Sequence, residues 1–190
     1  MRRLSSHRVI LSRMLESAAA KAKIFWSVLA LVYIADFLTK RLAVMELSPA
    51  YIPHPVIGDF FRLTLAYNRG AAMGLSLGGY SRVGFAITAA AVLVVLAVVY
   101  RKTPAGAKAP ATALALIAAG ALGNLTDRIT SSMGVVDFID IGIGDARFYT
   151  FNIADSAITC GAILLAAVSM KTDREAAAAA AKDANRRSAI

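Results

Sequence analysis

Four apolar runs, each long enough to cross a bilayer, constrain this 190-residue sequence more than any other feature. They lie at about 24–47, 83–100, 109–126 and 152–170. A helix rises about 1.5 Å per residue, and a hydrocarbon layer about 30 Å thick takes about 20 residues to cross. Backbone N–H and C=O groups find no water there, so a crossing segment must satisfy them internally, as a helix does. The expected architecture is an all-α membrane protein with four transmembrane helices.

The charges follow the same plan. The chain is 58% hydrophobic and only 17% charged, where a soluble domain carries about 25%. Its net charge of +9 does not point to nucleic acid, because the positive residues bracket the apolar runs. Residues 1–23, 171–190 and 101–109 hold six, five and three Lys/Arg, and the rest of the chain holds seven. The rule that positive loops stay in the cytoplasm puts both termini and the 101–109 loop there. Four crossings return both ends to one side, so count and charge agree. The remaining loops, with Asp137, face away from the cytoplasm.

Outside the spans, residues 1–23 form a basic leader, read either as a surface-lying amphipathic helix or as a disordered arm. The stretch after it is too long for a cleaved signal peptide, and no small-x-small site ends it. Residues 171–190 form an Ala-rich cytoplasmic tail read as a solvated helix. Pro49, Pro53 and Pro55 break helix after the first span. Phe61, Leu63, Leu65 and Tyr67 then alternate with Arg62, Thr64, Ala66 and Asn68, a strand period. A small extracytoplasmic β-cradle is expected at about 51–75. Residues 131–146, rich in Gly, Ser and acids, read as a loop.

Polar residues collect at the span ends on that outer side: Asp36, Lys40, Asn68, Asn124, Asp127, Arg128, Asp137, Asp140, Asn152 and Asp155. An ionisable group at such depth is a functional candidate. Asp36 and Lys40 are spaced i, i+4 and can pair, either as a local ion pair or as part of a site. Asp137 and Asp155 flank the last loop in apolar surroundings, and the Val135-Val136 and Phe138-Ile139 flanks of Asp137 suit a buried or lipid-adjacent strand or a helix start. Two carboxylates close together in low dielectric share one proton. The charged member takes a proton from water and the protonated member donates to a carbonyl, which hydrolyses an amide without a metal. Other hydrolytic chemistries lack their residues. HExxH is absent, the GxSxG at 74–78 (GLSLG) has no histidine placed to act as its base, His7 lies in the leader and His54 in a Pro-rich loop. The one cysteine, Cys160, excludes a disulfide framework or cysteine-based metal site and reads as a small apolar residue in a span. Plainer readings stand beside these. Asp155 after an apolar segment also reads as a helix N-cap. Asp127-Arg128 reads as an interface ion pair, Asp140 and Asp145 as solvated loop acids, and Gly120 and Gly123 as packing residues.

Five stretches occur in order between the spans: DFLTK (36–40), NRGAAMG (68–74), GALGNLTDR (120–128), GVVDFID (134–140) and FNIADSA (151–157). Together they resemble the prolipoprotein signal peptidase family, signal peptidase II, over about residues 24–170. The resemblance implies an aspartic endopeptidase that needs no cofactor. It removes signal peptides from diacylglyceryl-modified bacterial prolipoproteins. The cut falls just before the lipid-bearing cysteine, at the outer face of the inner membrane. Asp137 and Asp155 correspond to the family's catalytic aspartates. Asp36, Lys40, Asn68, Asn124, Arg128 and Asn152 match its other polar positions. The implied roles are that Asn152 orients Asp155, and that Asn124 and Arg128 hold the substrate backbone. Asp36 and Lys40 brace the first span or meet the lipid-modified residue, and Asn68 and Gly70 position the cradle. The implied partners are the lipidated substrate, membrane lipid and the inhibitor globomycin. Phe37 stands where the family commonly has Gln, and Met73 where Phe is common.

Two other functions are weighed against this one. A small transporter or channel subunit would use Asp36 and Lys40 as an ion relay and needs a polar path onward to the cytoplasmic half. A scaffold packed through Gly and Ala gives Asp137 and Asp155 no reason to approach.

Overall fold

A computed structural model describes residues 2–70 and 80–188. Among these residues the chain forms a helix, two strands, two helices, two strands and a last helix. Helix α1 spans Arg2–Glu46, α2 Ser81–Lys102, α3 Lys108–Thr130 and α4 Ile153–Ser188. Strands β1 (Pro53–Ile57) and β2 (Phe61–Asn68) follow α1, and β3 (Val135–Ile143) and β4 (Ala146–Arg147) lie between α3 and α4.

All four helices contain a stretch long and apolar enough to cross a membrane. Their outward faces carry Leu31, Leu42, Val83, Ile87, Val94 and Ile163, each more than half exposed. Apolar surface so extensive belongs against lipid rather than water. Helix α3 is the exception, with 56% of its apolar window buried against 11%, 6% and 17% in the others. It packs on α1, α2 and α4 alike. Its residues explain this, since Ala111, Ala113, Ala115, Ala118, Ala119 and Gly120 are all buried. In lipid, where apolar burial drives little association, helices adhere through close van der Waals packing of small residues. A Cβ on Gly120 would strike the carbonyl oxygen of Ala154 and lie 2.7 Å from Ile158 Cγ1. One on Gly161 would lie 2.8 Å from Ala113 O. The glycines therefore set how near α3 and α4 approach.

The leader is helical. It continues α1 without a break, and the tail likewise continues α4 to Ser188. Lys21 fastens the leader to the end of α2. Its Nζ donates to Thr103 O (2.8 Å) and Tyr100 O (3.2 Å) and lies 4.5 Å from the Tyr100 ring centroid. A cation there meets the negative end of the helix dipole and a π-face together.

The strands form one antiparallel sheet in the order β1-β2-β3-β4, at the end of the bundle where α1 and α3 finish and α4 starts. Residues 131–146 are therefore not the loop their composition suggests, because most of them supply β3 and β4. Val135, Val136, Phe138, Ile139 and Ile141 favour a pleated surface, and pairing with β2 satisfies the backbone despite the intervening acids and Gly142. The cradle thus draws half its strands from beyond 51–75. Residues 71–75 of that range, with Met73 and most of NRGAAMG, lie outside the described residues. An apolar cluster of Ala43, Leu47, Leu65, Val136 and Phe138 seats the sheet on the end of α1. Gly134, at φ 109°, starts β3 where a Cβ would lie 2.5 Å from Asn68 O. Only glycine brings β3 that near to β2 with that backbone.

Asp140 is not a solvated acid, since only 5% of it is exposed. Its Oδ2 accepts from Arg62 Nε (3.0 Å) and Thr64 Oγ1 (2.9 Å), and its Oδ1 from Arg147 Nε (2.6 Å). Arg62 also reaches Asp59 in the β1–β2 turn, and Arg147 donates to the Asp59 carbonyl. One carboxylate thus pins both hairpin tips together. Burial alone would raise the Asp140 carboxyl, but the Arg147, Thr64 and Arg62 contacts outweigh it and hold it below its ordinary value. A depressed folded value stabilises the fold above the unfolded value and stops doing so as pH falls through the folded one. Asp140→Asn is expected to cost the sheet about 2 kcal/mol of local stability, read as faster amide exchange in residues 139–147. The parent protein should show the same loosening only in acid, below the usual carboxylate range.

Candidate active site

The site begins with a buried cation. Lys40 and Asp36, one turn apart on α1, are 4% and 1% exposed. Lys40 Nζ lies 2.8 Å from Asp36 Oδ2, a charge contact rather than an aligned hydrogen bond. It lies 3.0 Å from Asp127 Oδ2 and donates to Asn124 Oδ1 at 2.9 Å. Asp36 Oδ1 accepts the backbone N–H of Ala154 (2.9 Å), and Asp127 Oδ2 that of Val136 (3.2 Å). A lone buried ammonium would cost several kcal/mol (roughly), and here it is satisfied on three sides. Lys40 thus holds α1, α3, β3 and the head of α4 in one arrangement. Asp36 and Lys40 are also a pair, as their spacing suggests, but one shared with α3.

The head of α4 explains Asp155. The residue before the helix is Asn152, whose Oδ1 accepts the N–H of Asp155 (2.9 Å). Asp155 Oδ2 accepts the N–H of Asn152 in return (3.3 Å), and Asn152 O accepts from Ser156 N (3.2 Å). This reciprocal pattern is a capping box. The cap is Asn152 and not Asp155, which sits in the first turn with its carboxylate where the helix dipole favours negative charge.

Asn152 is fully buried and reaches further. Its Nδ2 donates to Asp137 Oδ1 (2.7 Å), Asn124 Oδ1 (3.2 Å) and Val136 O (3.2 Å). Asn124 Nδ2 donates to Asp155 Oδ1 (2.8 Å). Asn152 therefore holds the β3 carboxylate through its side-chain amide and the α4 carboxylate through its backbone N–H, and the Asn124 amide ties the α4 carboxylate to the buried lysine. Asp137 stands opposite Ala66 of β2, whose small side chain leaves room beside it. Burial, first, and the nearby Asp155 charge push the Asp137 carboxyl up to about 7, while Asn68, Asn152 and Lys40 pull it down.

Asp137 and Asp155 line one cavity of about 830 Å³, with Asn68, Asn124 and Arg128 on its wall. Arg128 donates to Asn124 O (3.1 Å) and lies 5.8 Å from the Phe85 ring centroid. Gly70 stands outside the lining. Its N–H donates to Asn68 Oδ1 (3.0 Å), which leaves the Asn68 amide nitrogen for Asp137. Sequence reasoning missed the apolar wall, formed by Phe148, Tyr149, Phe151, Ile158 and Cys160. Three aromatics within residues 148–151, just before the fourth span, were the available signal. Cys160 is exposed to this cavity rather than packed away. Among the described residues, no three His, Cys, Asp or Glu side chains form a metal-holding group. The arrangement suits hydrolysis, with two carboxylates, amide donors and one guanidinium facing an apolar cavity at the end of the bundle.

Four membrane-length helices, with such a cavity between α3, α4 and a small sheet, are the build of an integral membrane enzyme. Comparison with known proteins gives its kind. The sequence pattern of the family described as signal peptidase (SPase) II matches residues 28–171. A lipoprotein signal peptidase of Paraburkholderia phytofirmans is 43% identical over 153 residues, 78% of this chain and 86% of the relative. One from Francisella tularensis subsp. novicida is 38% identical over 159 residues, 82% and 97% of the two chains. Two solved bacterial membrane enzymes, determined by the in meso method, superpose with TM-scores of 0.69 and 0.68 at 33% and 34% identity. Both cover 77% of this chain, and it covers 87% and 92% of theirs. The chain belongs to the signal peptidase II family, and it is a membrane-embedded protease.

Proposed function

We propose that this protein removes signal peptides from diacylglyceryl-modified prolipoproteins in the bacterial inner membrane. The cut falls before the lipid-bearing cysteine, with Asp137 and Asp155 as the catalytic pair. The observation that carries this is Asn152, whose side-chain amide and backbone N–H hold the two carboxylates, Asp137 and Asp155, at one cavity. One carboxylate takes a proton from water as the water oxygen bonds to the scissile carbonyl carbon. The other gives its proton to the carbonyl oxygen. The tetrahedral species then breaks its C–N bond, and the leaving amine takes up a proton. Arg128 and Asn68 meet the substrate backbone, and Arg128 offsets charge building on it. The apolar wall of Phe148, Tyr149 and Ile158 receives acyl chains and the signal helix, and globomycin is expected to occupy the same cavity. The positive-charge count puts both termini in the cytoplasm and the cavity at the outer face. A substrate held by lipid diffuses in the membrane plane, so a site at bilayer depth beside the outer interface meets it directly.

The pair works with one proton between its members. The Asp137 carboxyl, pushed up to about 7, loses that proton as pH rises through neutrality. Cleavage is therefore expected to fall about tenfold for each pH unit well above that point. The test of the function is purified protein in detergent, a lipidated precursor, and the same precursor with its lipid-bearing cysteine changed to serine. Cleavage of the first alone, leaving the lipidated cysteine as the new N-terminus, is the expected result. Equal cleavage of both, or of neither, contradicts the proposal. An ion relay fits less well, because Lys40 is closed in by Asp36, Asp127 and Asn124.

A further inference from the structure

Helix α2 packs on α3, and none of its residues lines the cavity. Its apolar window is the least buried of the four, at 6%. Its first turn nevertheless meets one cavity residue, Arg128, twice.

The first meeting is at the backbone. The last four carbonyls of a helix have no partner inside it. At the end of α3, the Ser131 N–H donates to Asp127 O (2.8 Å). Arg82 takes the next two carbonyls. Its Nε donates to Arg128 O (2.6 Å) and its Nη2 to Ile129 O (3.0 Å). The Arg82 charge thus sits at the negative end of the α3 dipole, and it fixes the backbone from which the Arg128 side chain departs. The second meeting is at the guanidinium. Phe85, three residues after Arg82, shares its helix face. The Phe85 ring centroid lies 5.8 Å from the Arg128 guanidinium carbon, within range of cation–π attraction.

Arg128 needs such holding. A guanidinium carries five N–H donors. Here Nη1 donates to Asn124 O (3.1 Å) on its own helix, and among the described residues Arg128 makes no other hydrogen bond and no ion pair. Yet the charges of Asp155, Asp137 and Asp127 all act on it. Closing onto either member of the pair would put the guanidinium where water and the scissile carbonyl must sit. It would also spend the donors that meet the substrate.

We propose that Arg82 and Phe85 are positioning residues for cleavage: they hold Arg128, by its backbone and by its guanidinium, clear of the two aspartates and free to meet the substrate carbonyl. This rests on the reading above that Arg128 meets the substrate backbone. It gives the least buried helix a task in the reaction. A first turn that only packed α2 against α3 would act through stability alone.

The test is cleavage of a lipidated precursor by full-length variants in detergent, with the melting midpoint measured on the same samples. Phe85→Leu keeps an apolar side chain and removes the π-face. It should lower kcat about tenfold with KM nearly unchanged, at the parent's melting midpoint. Phe85→Tyr restores the face and should cleave like the parent. Arg82→Gln should lower kcat in the same way. If it also lowers the melting midpoint, the two Phe85 variants carry the test. In an Arg128→Gln background, followed under single-turnover conditions, neither Phe85→Leu nor Arg82→Gln should slow cleavage further, because both act through that guanidinium. Parental cleavage by Phe85→Leu, a loss that Phe85→Tyr does not restore, or an equal further loss in the Arg128→Gln protein each overturn the proposal. Failure of the underlying reading shows separately, as parental cleavage by Arg128→Gln alone, and takes this proposal with it.

Discussion

Asp137→Asn and Asp155→Asn are each expected to lower cleavage of a lipidated precursor by about 10³-fold or more, while the protein still inserts and folds. An amide keeps the size of the carboxyl but neither takes a proton from water nor gives one to a carbonyl. The surroundings tolerate the change unequally. Asp137 accepts from Asn152 Nδ2 through Oδ1, which an Asn side-chain oxygen still does. Asp155 accepts at both oxygens, so an amide there places a donor against a donor on one side. The Asp155 variant should therefore lose some thermal stability as well, and the Asp137 variant only as much as its Asn68 contact supplies. Measuring the melting midpoint and the single-turnover rate on the same samples separates the two effects. Activity within tenfold of the parent in either variant would remove that residue from the chemistry.

The second large effect is expected at a residue that does not itself line the cavity. Gly123 lies on α3 where an added Cβ would strike Asp36 Oδ2 and approach Ala154 Cβ at 3.5 Å. Asp36 has nowhere to go. It is bound to Lys40 on its own helix and to the Ala154 N–H on α4. Gly123→Val must therefore either part α1 from α3 or break the ion pair. Overpacking alone costs about 1–3 kcal/mol, and a displaced buried charge adds about as much again. The expected result is a protein that inserts but fails to hold its bundle, with a lower melting midpoint and cleavage lost in proportion to unfolding. Gly106→Ala, where the nearest heavy atom to the new Cβ is Ser17 Oγ at 3.5 Å, serves as the control and should behave like the parent.

What the sequence revealed and what it hid divide along a physical line. Spans are written in hydrophobicity, which is additive along the chain, so the four helices were legible from the runs and their flanking charges. The strand at Phe61–Asn68 was legible from its period of two. The strand at Val135–Ile143 was legible only around Asp137, whose apolar flanks suit a strand or a helix start, because acids at 137 and 140 and a glycine at 142 carry the composition of a loop. Those acids are tolerated only by partners distant in sequence. Asp140 relies on Arg62, 78 residues away, and Asp137 relies on Asn152. The same distance hid the part played by Lys40, whose i, i+4 partner was plain while its bond to Asn124, 84 residues on, was not. The capping box at the head of α4 was half legible. The Asn152–Asp155 spacing placed both on one face, but which of the two is the cap depends on where the helix begins. The aromatic wall at 148–151 follows from the chain turning back along β3, which periodicity does not encode.

The account stands on both carboxylates meeting one reacting atom. The most direct measurement is a crystal structure of the protein with a substrate analogue whose scissile amide is replaced by a hydroxyl-bearing carbon, the shape of the tetrahedral species. The hydroxyl oxygen is predicted to lie within about 3 Å of a carboxyl oxygen of Asp137 and of Asp155 at once. The lipid-mimicking end should lie along Phe148, Tyr149 and Ile158. A hydroxyl that touches only one of the two aspartates, or an analogue bound away from both, would contradict the account.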